Sequence, residues 1–202
     1  MERVTVFDYP TTAHVRQHGP FGYRNYESYR DWLRDEFRFR CVYCLKRETW
    51  GEQRAAFHLD HFVPQVHDPT KALEYDNLVY VCASCNALKA DLLVPDPCRI
   101  AYGRSLRVND DGTIEALNKE GERLVDKLRL DSPDRTSYRR QILETLRSFI
   151  RHDERALLVR WTRYPEDLPD LRRKQEPGNR RPEGREHCCF AQREAGKLPK
   201  TY

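Results

Sequence analysis

A chain of 202 residues has room for one domain, or for one domain with an extension. With 34% charged and 39% hydrophobic residues its core must be modest, and no apolar run reaches the length of about 18 residues that a membrane span needs. The net charge of +4 sits at one end: from Asp170 onward nine Lys/Arg face five Asp/Glu, so the body is balanced and is not a polycation that would bind nucleic acid in bulk. Met1-Glu2-Arg3-Val4 lacks the basic and apolar regions of a secretory signal. The expected compartment is therefore the cytoplasm, where clustered cysteines hold metal more often than they form disulfides.

In chain order, residues 1–40 read as an arm and a helix. Val4 and Val6 alternate as a short strand, and Pro10, Gly19, Pro20 and Gly22 mark loop. Asn25 caps a helix from Tyr26 to Phe39 whose Tyr26, Tyr29, Leu33 and Phe37 share one face and read as core. Within 41–95, residues 57–62 predict a strand, and a loop runs through Pro64, Pro69 and Asp76. Leu78-Val79-Tyr80-Val81 predicts a second strand and Ala83 to Asp91 a helix. Such a ββα unit is too small to bury its own core and calls for a staple.

In 96–165, Leu106-Arg107-Val108 and Thr113 to Ala116 flank Asn109-Asp110-Asp111-Gly112 as a hairpin. Helices follow from Asn118 to Leu128 and from Ser132-Pro133, the latter with a stripe of Tyr138, Ile142, Leu146, Phe149 and Ile150. Ala156 to Trp161 is a further apolar run. This region reads as an accessory layer on the ββα unit. The segment 166–202, rich in prolines and charges, reads as a poorly ordered tail. Its Arg172, Arg173, Lys174, Arg180, Arg181 and Arg185 would be available to phosphates. The fold class expected is α+β.

Cys41-Val-Tyr-Cys44 and Cys82-Ala-Ser-Cys85 stand 37 residues apart. Two such knuckles suit a tetrahedral zinc with Zn–S bonds of about 2.3 Å. A filled four-thiolate site has no open position, so this zinc would be structural. Four free buried cysteines, or a redox pair, are the competing readings, and the second lacks its usual βαβ setting. Cys98, Cys188 and Cys189 are left over. Adjacent cysteines chelate one ion awkwardly, so His187-Cys188-Cys189 reads as exposed tail.

Between the knuckles lie Leu59-Asp60-His61-Phe62-Val63-Pro64 and Asp76-Asn77-Leu78; Asn86 and Lys89 follow the second knuckle. In this order, from Cys41 to Lys89, the array resembles the HNH (ββα-metal) endonuclease family in its zinc-stapled, four-cysteine form, as in stand-alone prokaryotic HNH nucleases. The last motif position, a histidine in many members, is Asn86 here. Phosphodiester hydrolysis needs an activated water, charge neutralisation on the phosphate and help for the leaving oxygen. An imidazole can take the water proton, and a divalent cation can meet the other needs.

The resemblance implies His61 as general base, with Asn77 bracing the loop and orienting it. It implies Asp60 and Asn86 as ligands of Mg²⁺ or Mn²⁺, which favour hard oxygens. Lys89, one helical turn past Asn86, would face a phosphate, or be a solvated helix lysine. His58, on the strand face of Asp60, is either a further phosphate or metal contact or a structural residue. The role of His67 is open. Arg38, Arg40, Lys46, Arg47 and Arg54 could line a DNA track, but Asp35, Glu36, Glu48 and Glu52 are interleaved, as on an ordinary charged surface. The implied activity is that of a divalent-metal-dependent DNA endonuclease leaving 5′-phosphate and 3′-hydroxyl ends, in phage (antiviral) defence, mobile elements or DNA processing. Double-stranded DNA is the implied partner, and an oligomer or protein partner is left open. Two readings compete: a zinc-stabilised DNA- or protein-binding module, which would have no use for the acid-base set, and an RNA nuclease.

Overall fold

The computed structural model describes residues 4–50 and 56–202, so Glu52 and Arg54 lie outside the described residues. In chain order its elements are β1 (Pro20–Phe21), α1 (Arg30–Glu36), β2 (Phe57–His61), β3 (Leu78–Cys82), α2 (Ala83–Lys89), β4 (Leu106–Val108), β5 (Ile114–Ala116), α3 (Lys119–Leu128), α4 (Pro133–Arg151), α5 (Arg155–Thr162), β6 (Gly178–Asn179) and α6 (Cys189–Glu194). The strands pair antiparallel, β1 with β6, β2 with β3 and β4 with β5. The class is α+β, as expected, and β2, β3 and α2 form the ββα unit. Among the described residues, no helix is long and apolar enough to cross a membrane.

Two compact units emerge, one of Met1–His14 with Val94–Arg163, the other of Val15–Leu93 with Tyr164–Tyr202. The amino-terminal arm is thus divided between units, and the segment expected to be a tail belongs with the ββα unit.

In the first unit, no strand forms at Val4 and Val6; instead Val6, Phe7 and Tyr9 enter the core. The hairpin closes as its sequence demands: Gly112, at φ +83, takes the left-handed turn position that favours glycine. Asn118 caps α3 by accepting from Gly121 N at 3.0 Å. Pro133 opens α4, while the Ser132 side chain makes no capping bond. Leu124, Leu128, Ile142 and Leu146 are buried, and Arg139 is buried with them because its guanidinium donates to the Gly112 and Leu130 carbonyls at 2.7 and 2.8 Å.

In the second unit, Asn25 caps a 3-10 turn (Tyr26–Tyr29) that leads into α1. Tyr29, Leu33 and Phe37 are buried as their spacing predicts. The helix nevertheless ends at Glu36, short of Phe39. Arg38 and Phe39 adopt left-handed φ values of 54° and 55°, and Phe39 N donates to Arg34 O at 2.8 Å. This reversal drives the Phe39 ring fully inside and aims the chain at the first knuckle. Periodicity alone does not reveal it, because the apolar spacing continues through the turn.

The polar face of α1 is buried too. Arg34 donates to both oxygens of Glu48 at 2.9 and 2.8 Å and to Asp167 at 3.0 Å, and the Tyr80 hydroxyl donates to Glu48 at 2.5 Å. Asp35 accepts from Cys189 N at 2.7 Å and lies 2.8 Å from His18 Nε2, and Glu36 accepts from His18 N and from Tyr75.

These partners overturn the reading of 166–202 as a poorly ordered tail. Tyr164, Leu168 and Cys189 close a cluster on Phe39, and Leu171 and Cys188 are fully buried. Cys188 and Cys189 are therefore interior residues, not exposed ones. Tyr202 stacks on Tyr164 with centroids 4.3 Å apart. The tail's charges are matched by acids and bases far away in sequence: Asp167 by Arg34, Lys174 by Asp31, and Arg181 by Asp76. Composition counts charges but not their partners, and neutralised charges can be packed where solvated ones cannot. Arg172 is paired to Asp170 and Glu194, and Arg185 to Glu176, so part of the tail's basic density is engaged by its own acids.

Candidate metal centre and catalytic loop

The first knuckle is a tight hairpin. Cys41 N donates to Lys46 O at 2.8 Å, Leu45 N to Cys41 O at 3.0 Å, and Leu45 takes a left-handed φ of 60°. Val42 N donates to Tyr80 O at 3.0 Å, fastening the knuckle to β3. The second knuckle runs from the end of β3 into α2. All four sulfurs, of Cys41, Cys44, Cys82 and Cys85, lie within 4.8 Å of one another, and Cys44 and Cys82 are 3.6 Å apart. A disulfide would need about 2.05 Å. Tetrahedral Zn–S bonds of about 2.3 Å imply sulfur–sulfur distances of about 3.8 Å. The cluster therefore has the geometry of a four-thiolate zinc site. Burial pushes the Cys41 thiol well up, whereas hydrogen bonds from the other three cysteines favour the Cys82 thiolate. A bound cation would favour all four thiolates together.

The strand β2 carries Asp60 opposite Val79 and His61 opposite Leu78. Asp60 is buried; burial raises its carboxyl to about 6, opposed by the Lys89 ammonium and by the Tyr43 hydroxyl. Lys89 is itself 0% exposed, with its Nζ 3.2 Å from each Asp60 oxygen and donating to His61 O at 2.8 Å. This corrects the expectation that Lys89 faces a phosphate: the last turn of α2 points inward and brings it under the strand. Asn86, three residues earlier on the same helical face, is half-buried directly after Cys85. The four-cysteine cluster thus lies at the start of the helix that carries Asn86.

His61 Nε2 lies 3.0 Å from the Ala72 carbonyl, which can only accept. The Gln65 amide nitrogen, a donor, stands at the same 3.0 Å from Nε2, so the two contacts orient the ring without selecting its tautomer. The Gln65 side-chain amide reaches both ring nitrogens, at 3.0 Å from Nε2 and 3.4 Å from Nδ1, and the Tyr26 ring meets the imidazole edge-on at 4.8 Å. Asn77 is buried and braces the loop: it accepts from Val63 N at 2.8 Å and donates to Val63 O at 3.1 Å and Lys71 O at 3.3 Å.

The structure thus brings the four cysteines together, joins Asp60 to Lys89 and to the backbone of His61, and sets Asn77 against the loop that carries His61. His58 stays exposed on β2, apart from this network. His67 donates to Asp91 O at 3.0 Å, tying the loop after Pro64 to the end of α2. Of the cations expected along a track, Arg47 is withdrawn: it is 1% exposed, 4.9 Å from the Trp50 ring and 4.2 Å from that of Tyr202, and burial lowers it to about 10. Arg38 donates to the Tyr164 hydroxyl at 3.4 Å. Sequence reasoning missed Tyr43, Gln65 and Tyr26 as neighbours of the site. Tyr43 lies inside the first knuckle and Gln65 four residues past His61, so proximity in sequence was a signal for both; Tyr26 looked like plain helix core.

Residues 41–91 match the family model described as HNH endonuclease. A search of the curated proteins returned no match. The match supports nuclease activity in general and a nucleic-acid substrate. The matched segment, with its four cysteines gathered in one cluster, is thus similar to an HNH endonuclease domain of the cysteine-stapled subtype.

Proposed function

We propose that the protein is a divalent-metal-dependent DNA endonuclease with a structural zinc in Cys41, Cys44, Cys82 and Cys85 and with His61 as general base. The observation that carries this reading is the setting of His61: its imidazole follows the buried Asp60 on β2, and the Ala72 carbonyl 3.0 Å from Nε2 orients the ring for taking a water proton. As the imidazole gains charge, the same carbonyl stabilises the imidazolium through Nε2–H. Asn77 keeps the loop in place for that transfer.

Asp60 and Asn86 would hold Mg²⁺ or Mn²⁺. The donor set suits such an ion: both residues offer hard oxygens, and the buried Asp60 carboxyl stays raised even beside Lys89, so its charge is undercompensated. The bound ion supplies charge neutralisation at the scissile phosphate and the leaving oxygen. Lys89 favours the ionised form of Asp60 and links it to the His61 backbone. His58, exposed at the near end of β2, is proposed as a phosphate contact. The resemblance further suggests double-stranded DNA as substrate, 5′-phosphate and 3′-hydroxyl products, a cytoplasmic setting and a role in phage defence or DNA processing.

The test is incubation of purified protein with supercoiled plasmid in Mg²⁺, Mn²⁺ or EDTA. Conversion to open-circle or linear DNA, abolished by EDTA and by His61→Ala, is expected. The His61→Ala protein should keep its zinc, melting temperature and DNA affinity. A variant that nicks at the wild-type rate removes His61 as base, and DNA binding without any cutting by the wild type points to a binding module.

A further inference from the structure

The turn that carries Asn77 is gripped from its outer side by two arginines that lie outside the matched segment. Arg181 forms a two-pronged pair with Asp76, Nη1 to Oδ1 at 3.0 Å and Nη2 to Oδ2 at 3.2 Å, and Nη1 also donates to His18 O at 2.8 Å. Arg16 Nη2 donates to the backbone carbonyls on either side of Asn77, Asp76 O at 3.2 Å and Leu78 O at 2.7 Å. Both arginines are fixed in their turn. The Arg16 guanidinium lies 5.0 Å from the Phe37 ring and 5.5 Å from that of Tyr75. Arg181 N donates to Asn179 Oδ1 at 2.9 Å, and Asn179 pairs with Pro20 across β1 and β6.

On the inner side, the Asn77 side chain holds Val63 and Lys71 O, and the carbonyl next to Lys71 O, that of Ala72, lies 3.0 Å from His61 Nε2. The contacts therefore run without a gap from Arg181 through Asp76 and Asn77 to the loop that orients the imidazole. We propose that Arg181 and Arg16 are positioning residues for the catalytic loop, supplied by the carboxy-terminal segment and the amino-terminal arm. This rests on the reading of His61 as base. The planar guanidinium suits the role: its fork meets both carboxylate oxygens while one nitrogen also reaches a backbone carbonyl, which an ammonium cannot match in fixed directions. A partly exposed pair of this kind contributes little to global stability, so its removal should disturb geometry rather than the melting of the fold.

The experiment compares Arg181→Met, Arg181→Lys and Asp76→Asn with a control, Arg172→Met, which breaks the tail's pairs to Asp170 and Glu194 but touches nothing at Asn77. Plasmid-nicking kinetics are read as kcat and KM separately, with zinc content, melting temperature and ¹⁵N spectra of the His61 ring. Arg181→Met should lower kcat by roughly tenfold to a hundredfold, the scale of losing an aligned geometry. KM should stay within about twofold, zinc should be retained, and the ¹⁵N spectrum of the His61 ring should differ from that of the wild type. Arg181→Lys should recover part of kcat, Asp76→Asn should resemble Arg181→Met, and Arg172→Met should match the wild type.

Wild-type kcat and ring spectrum in both Arg181→Met and Asp76→Asn would overturn the proposal. So would an equal loss in Arg172→Met, or a rise in KM at constant kcat, the sign of a phosphate contact. Should Arg181→Met fail to fold, Asp76→Asn carries the test. Failure of the base reading looks different: there His61→Ala itself cuts at the wild-type rate.

Discussion

Replacing Arg34 by Met should be among the most damaging single changes outside the zinc site. Arg34 is 1% exposed and holds both oxygens of Glu48, which is 3% exposed and lies four residues past the first knuckle. Without the guanidinium, Glu48 keeps the Tyr80 hydroxyl as a donor but loses its charge partner. Asp167 is 61% exposed and can rehydrate, so the cost resides in Glu48. Breaking a buried pair on one side costs about 3–5 kcal/mol, against a total stability of about 5–15 kcal/mol. With a urea slope of about 2 kcal/mol/M, a loss of about 4 kcal/mol moves the midpoint down by about 2 M. Adding Glu48→Gln removes the stranded charge and keeps an acceptor for Tyr80, so the double variant should recover most of the loss. Urea unfolding of both variants measures this. A single variant within about 1 kcal/mol of wild type, or a double variant no better than the single, refutes the reasoning.

Cys82→Ser should abolish zinc binding and unfold the ββα unit, because structural zinc contributes about 10–16 kcal/mol, as much as the whole stability of a domain; metal analysis and circular dichroism decide it. Deleting residues 164–202 should prevent folding of the second unit rather than merely lower DNA affinity, since it strips Tyr164, Leu168, Leu171 and Cys189 from the core. A soluble truncated protein with the wild-type melting temperature would contradict this. Thiol titration of the native protein at pH 8 should find Cys98, the half-exposed cysteine outside the cluster, reacting first. Chelator should release the four clustered thiols next. Cys188 and Cys189, whose thiols burial pushes up, should react only on unfolding.

What could be read from sequence here was local. Two residues between paired cysteines are enough to shape a knuckle, and Asp60-His61 on a short strand needs only its neighbours to be placed. Asn118 and Pro133 mark helix starts because capping and a fixed φ act within one turn. The family resemblance from Cys41 to Lys89 was legible for the same reason, since its elements follow one another in a fixed order.

The tertiary structure decided everything that depends on a partner distant along the chain. Arg181 and Asp76 are 105 residues apart and Arg34 and Asp167 are 133 apart, so a segment that composition marks as solvated becomes part of a core through pairs that no local pattern announces. Lys89 reads equally well as a solvated helix lysine or as a phosphate ligand until α2 is laid against β2 and its ammonium meets Asp60. The orientation of His61 is likewise a tertiary fact: the Ala72 carbonyl, eleven residues on, lies 3.0 Å from Nε2 and steers the ring. Side-chain chemistry is written residue by residue, whereas protonation, burial and orientation arise from the field of neighbours that only the folded chain assembles.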